Sequence, residues 1–185
     1  MRIQEMNPAK LAALFRKEFE LCNVQEGETI ALLSDLTSRR EYVQAAFAAA
    51  SELGADTYDM CVNSSPSWTK VGVETIGVCK GTVDVLAAAD LLVCLHVPLF
   101  TKWMKTVRDA GTRVLMIIDA PDDLEQLMAP PGLREAVIHA GQRLEQTRTV
   151  RVTSDAGTDL TYDCGDYPTM IQYGYADAPG RFDHW

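Results

Sequence analysis

Apolar residues along this chain change their spacing in a regular alternation, and the alternation predicts a fold. Leu11, Leu14, Phe15, Phe19 and Cys22 recur at helical spacing behind Asn7 and Pro8, an N-cap followed by a proline suited to a first turn. Residues 28–33 then form a short, largely apolar run that reads as a buried strand. Ser38 and Glu41 have the spacing of a capping box. The helix expected behind them passes through Tyr42, Ala46, Phe47 and Ala50 and stops at Gly54, with a strand over 57–62. Residues 63–80 are rich in Ser, Pro and Gly and lack a period, so they read as an excursion carrying Trp68. Beyond it the spacing predicts a helix over 82–89, a strand over 91–95 and a helix over 100–110 with Trp103 and Val107 inward. Gly111 breaks that helix and a strand follows over 112–118. Helices over 121–128 and 133–146 flank Pro130-Pro131-Gly132, and two strands over 149–153 and 160–163 are joined through Ala156-Gly157.

Four short apolar strands separated by helices are βαβ units, and wholly apolar strands suit a parallel sheet covered on both faces. The expected fold is therefore α/β: a doubly wound, mostly parallel sheet with helices on both faces, over residues 1–147. Residues 148–185 change character to a β-pair and an irregular motif segment, and read as the start of a second domain.

Composition narrows the function classes. A chain of 185 residues fits one domain or a little more. A net charge of −9 argues against nucleic acid or an anionic membrane as partner. No apolar stretch approaches the ~20 residues of a membrane span, and residues 1–5 contain no apolar signal core, so a cytoplasmic protein is expected. The five cysteines are widely spaced without a C-x-x-C. Cys22, Cys61 and Cys94 lie in apolar patterns and read as free, buried thiols.

Phosphate-loop, dinucleotide, zinc-protease and nucleophile-elbow motifs are all missing from the sequence. Three histidines remain. His139 sits mid-helix among charged residues and reads as solvated. His96 directly follows the apolar strand 91–95, at the carboxyl edge where open α/β sheets place ligands. Val97-Pro98 delays the next helix and leaves His96 at the crest of a loop. No spacing suggests two histidines and a carboxylate for iron, or a Cys/His set for zinc, so no metal site is expected within these residues.

The chemistry concentrates in residues 174–185, where Gly and Pro alternate with aromatics, acids, Arg181 and His184. The segment reads as the middle of a functional region. Gly174-Tyr175-Ala176-Asp177, then Pro179-Gly180-Arg181-Phe182-Asp183-His184-Trp185, resembles the 2,5-dihydroxypyridine 5,6-dioxygenase family. These are Fe(II)-dependent ring-cleaving enzymes, similar in sequence to the M29 aminopeptidases. The resemblance continues through Ser154-Asp155-Ala156-Gly157-Thr158-Asp159, Gly111-Thr112-Arg113-Val114-Leu115 and Ala88-Ala89-Asp90-Leu91.

The resemblance implies the N-terminal part of an extradiol-type dioxygenase for a hydroxylated pyridine or similar ring. Small aromatic substrate and O₂ would be its partners, and the full-length protein is expected to be a homo-oligomer. Fe(II) would be held by two His and one Asp in a C-terminal metal-binding domain outside this chain, so the 185 residues alone are expected to be inactive. By the same resemblance His184 is a candidate catalytic residue and Arg181 and Asp177 are candidate substrate contacts; His96, from its strand-end position, is the second candidate catalytic residue, and Phe100 a further candidate substrate contact. An arginine fork suits an anionic hydroxypyridine or carboxylate, and a histidine suits proton transfer near neutral pH. One departure stands out. Where the family carries His-Ser-Pro-Glu, this chain has Phe100-Thr101-Lys102-Trp103, with His96 four residues earlier. That leaves the ring substrate open. A metalloaminopeptidase part of the M29 kind and a non-catalytic α/β binding module are the alternatives. The ending Phe182-Asp183-His184-Trp185 favours the dioxygenase.

Overall fold

The computed structural model describes residues 6–63, 76 and 81–185. Trp68 and most of the excursion expected around it lie outside the described residues. The first helix, α1 (Pro8–Leu21), begins where expected, with the Asn7 side chain accepting a hydrogen bond from Ala9 N at 2.9 Å. Leu11, Leu14, Phe15 and Phe19 form its buried stripe. Strand β1 (Thr29–Asp35) runs two residues past the apolar run, taking Ser34 and Asp35 into the interior.

Helix α2 (Arg40–Glu52) starts without the expected capping box: its cap position is Arg39, which makes no side-chain cap bond. Ser38 is used elsewhere. Its hydroxyl accepts from Asp35 N at 2.9 Å and donates to Leu95 O at 3.0 Å, so it ties two loops together. Then come β2 (Asp56–Val62), α3 (Thr82–Ala87), β3 (Leu91–Cys94), α4 (Lys102–Asp109), β4 (Arg113–Met116) and α5 (Pro121–Leu127). Helix α4 begins two residues later than its periodicity predicts, because Phe100 adopts a left-handed backbone (φ 60°) and Thr101 is still extended. Trp103 and Val107 point inward as expected. Next are α6 (Leu133–Glu145), β5 (Thr149–Thr153), β6 (Asp159–Asp163) and β7 (Phe182–His184).

Five strands form one sheet in the order β2-β1-β3-β4-β7, and every pairing in it is parallel. Alternate residues face opposite layers. Ile30, Leu32, Leu91, Val93 and Leu115 join the buried stripes of α1 and α2 on one face. Ala31, Leu33, Leu92, Val114 and Met116 join α3 and α4 on the other. The fold is thus the expected α/β sheet with helices on both faces. No described helix is long and apolar enough to cross a membrane.

The division into units differs from the boundary expected at residue 147. Met1–Met128 and Gly174–Trp185 group together, and Ala129–Tyr173 forms a separate unit. The motif segment, read as irregular, returns to the main sheet as β7 and pairs with β4 at Val114↔Phe182 and Met116↔His184. A three-residue strand with two polar members carries no apolar run, so periodicity could not announce it. In the separate unit, β5 and β6 form an antiparallel hairpin. There α6 presents Gly141 where a Cβ would lie 2.7 Å from Ile171.

Candidate active site at the carboxyl edge of the sheet

Strands β1 and β3 are neighbours, but the chain leaves β1 towards β2 and leaves β3 towards β4. Loops diverging in this way open a crevice at the carboxyl ends of the strands, the place where open α/β sheets bind ligands. A cavity of about 280 Å³ lies there, with Thr37, Ser38, Arg39, Tyr42, His96 and Ile118 in its lining. Asp35 ends β1 and organises its rim. One carboxylate oxygen accepts from Thr37 N (2.8 Å) and the Thr37 hydroxyl (2.7 Å), and lies 3.2 Å from the Ser38 hydroxyl oxygen. His96, 7% exposed, stands two residues beyond β3. The loop after it is braced by the Thr101 hydroxyl on Pro98 O at 3.0 Å. Phe100 projects from this loop and is 82% exposed.

His184 reaches the same edge by another route. It is the last residue of β7, level with Met116 of β4, and its Nε2 lies 3.0 Å from Asp119 Oδ2. Asp119 is in the loop that follows β4, and the Tyr42 hydroxyl donates to its backbone carbonyl at 2.5 Å. Burial pushes the Tyr42 hydroxyl pKa above its ordinary value. His96, Phe100 and His184 therefore share the carboxyl edge. Sequence reasoning missed Tyr42 and Asp119. Tyr42 was absorbed into a helical stripe. Asp119 stands past the end of an apolar strand, as His96 does, and the same strand-end rule could have found it.

Arg181 and Asp177 do not join them. Because β7 is parallel to β4, its start and its end lie at opposite edges, and Arg181 precedes the start. The Arg181 guanidinium meets Asp183 Oδ2 at 2.6 Å and lies 3.9 Å from Asp177 Oδ1. Asp183 is fully buried, and its other oxygen accepts from Gly174 N (2.9 Å) and His184 N (3.0 Å). Asp177 lines a second cavity of about 360 Å³ at the amino edge, with Glu28, Asp90, Thr112 and Arg113. The pair expected to face substrate thus braces the fold of the motif segment.

The segment also rests on α1. Ala176 N donates to Cys22 Sγ at 3.4 Å, and the Cys22 thiol donates to Glu18 Oε1 at 3.8 Å. Burial, reinforced by the nearby Asp183 charge, raises the Glu18 carboxyl from 4.5 to about 8. Burial likewise pushes the Cys22 and Cys94 thiols up. Cys22 and Cys94 are free and buried as expected, whereas Cys61, on the edge strand β2, is exposed. Cys79 lies outside the described residues. Among the described residues no three His, Cys, Asp or Glu side chains converge as a metal-ion site, so the donor set present does not fit an Fe(II) centre.

Comparison with known proteins agrees with this architecture. A family model described as 2,5-dihydroxypyridine 5,6-dioxygenase (NicX) matches residues 10–185. A curated 2,5-dihydroxypyridine 5,6-dioxygenase from Pseudomonas putida is 31% identical over 185 residues, covering 96% of this chain and 53% of that protein. A solved structure of 2,5-dihydroxypyridine dioxygenase from Pseudomonas putida superimposes with a TM-score of 0.91 at 29% identity, over 98% of this chain and 55% of that one. The chain spans about half the length of the relatives it matches.

Proposed function

The chain belongs to the 2,5-dihydroxypyridine 5,6-dioxygenase family, and from that premise we propose that it forms the α/β part of a ring-cleaving dioxygenase. Its substrate is a hydroxylated pyridine or similar small aromatic ring, and O₂ is the co-substrate. The observation that carries this reading is the family match across residues 10–185, with a fold superimposing at a TM-score of 0.91. Fe(II), when bound, would supply oxygen activation in this reading, with ligands contributed from outside residues 1–185.

The residues of this chain form one wall of the site. The crevice lined by Tyr42, His96 and Ile118 offers a partly apolar space of about 280 Å³ for a ring. His184 and His96 handle protons at the ring hydroxyl, and Phe100 covers the rim. Arg181 and Asp177 act through the fold, because their charges are spent on Asp183 and on each other.

The test is oxygen uptake by the protein that carries this chain, loaded with Fe(II) and given 2,5-dihydroxypyridine. One O₂ consumed per ring opened is the expected result. Hydrolysis of aminoacyl substrates without oxygen uptake would establish the aminopeptidase reading instead.

A further inference from the structure

We propose that Asp119 is the positioning residue of His184: its carboxylate fixes the ring's orientation and tautomer so that Nδ1 is the nitrogen presented for proton transfer. The inference rests on the reading of His184 as a proton-handling side chain, and goes beyond it by naming the partner that makes His184 competent.

Three observations converge. His184 Nε2 and Asp119 Oδ2 are 3.0 Å apart. Both atoms are buried, and neither has another hydrogen-bond partner among the described residues. A buried ring nitrogen and a buried carboxylate oxygen at this distance satisfy each other, since an unmet polar atom in that position is costly. Asp119 is itself held: the Tyr42 hydroxyl grips its carbonyl at 2.5 Å, and helix α5 begins two residues later at Pro121. The β4–α5 loop is thereby pinned above the end of β7, whose His184 is in register with Met116.

The chemical consequence follows from the two ring nitrogens. With Nε2–H facing the carboxylate, the neutral ring keeps its lone pair on Nδ1. That nitrogen can take the proton of a ring hydroxyl, leaving the hydroxyl oxygen anionic and the imidazole cationic. The Asp119 carboxylate offsets the new positive charge, the role a carboxylate plays behind histidine in other acid–base sites. Tyr42 extends the arrangement to the crevice, because the same side chain lines the cavity beside His96.

The experiment uses the Fe(II)-loaded protein that carries this chain, with His184→Gln, Asp119→Asn and Asp119→Glu variants. Oxygen uptake gives kcat and KM, and ¹⁵N spectra of the His184 ring give its tautomer. Asp119→Asn is expected to lower kcat about 10–100-fold with KM within about twofold. It is also expected to convert the His184 ring from a single Nε2–H form to a mixture. Asp119→Glu should recover part of both. A wild-type kcat in Asp119→Asn overturns the inference whether or not the ring spectrum changes. If His184→Gln is impaired in that same series, the reading of His184 survives alone. Wild-type turnover in His184→Gln removes that reading, and the role given to Asp119 falls with it.

Discussion

Glu18 is fully buried on the inner stripe of α1, with Asp183 nearby and the Cys22 thiol donating to its Oε1. Its pKa near 8 makes it a neutral acid across most of the range in which an ordinary carboxyl, at 4.5, is charged. The folded state therefore holds a proton that the unfolded chain has released between pH 4.5 and 8. Stability contributed by this group is full below pH 4.5, declines as pH rises and is gone above about 8. The change over that window is on the order of 4 kcal/mol. Glu18→Gln should flatten the profile, which denaturant unfolding from pH 5 to 8 would read directly. Parallel profiles for the two proteins would show that the burial does not act in this way. Single residues were legible in the sequence where a local rule applies. Asn7 caps a helix and His96 stands at a strand end. Glu18 was not, because the Asp183 charge beside it comes from the opposite end of the chain.

At the scale of elements, β7 is the least predictable and the most dependent on its surroundings. Its three residues are closed off by Trp185, which is 1% exposed, packs edge-on against Phe15 at 5.3 Å and donates from Nε1 to Leu124 O at 3.2 Å. Gly180 precedes the strand at φ +69°, where a Cβ would sit 2.8 Å from Arg108 O. Only glycine allows both the turn and the close approach. Trp185→Ala should cost about 3–5 kcal/mol, through the cavity left against α1 and α5. Thermal unfolding together with loss of the β4–β7 amide protection would report it; a Tm unchanged by the substitution would mean that β7 is held by other contacts. Strands β1, β3 and β4 were legible because each is largely a run of apolar residues. The capping box failed because Ser38 was claimed by Leu95 O, a partner fifty-seven positions away.

At the scale of the whole sheet, the two edges have separate tasks. The carboxyl edge gathers His96, His184, Tyr42 and Asp119, and the amino edge gathers Arg181, Asp177, Arg113 and Glu28. Arg181→Met should therefore destabilise the protein by about 3–5 kcal/mol, since it removes the guanidinium that meets the buried Asp183 carboxylate at 2.6 Å. KM for the ring substrate should stay within about twofold in the surviving folded fraction. A large rise in KM without loss of stability would place Arg181 at the substrate after all. The sheet's class, and the edge at which ligands bind, were readable from strand periodicity. The sorting of motif residues between edges was not, since neighbours in sequence looked like neighbours in a site. β7 also sets a schedule for synthesis. Val114 finds its partner only when Phe182 has been made, roughly several seconds later at ordinary translation rates. Through that interval the nascent protein carries β4 as an open parallel edge, exposed to other chains. Until Phe182–His184 has been made, that edge has no native strand to cover it.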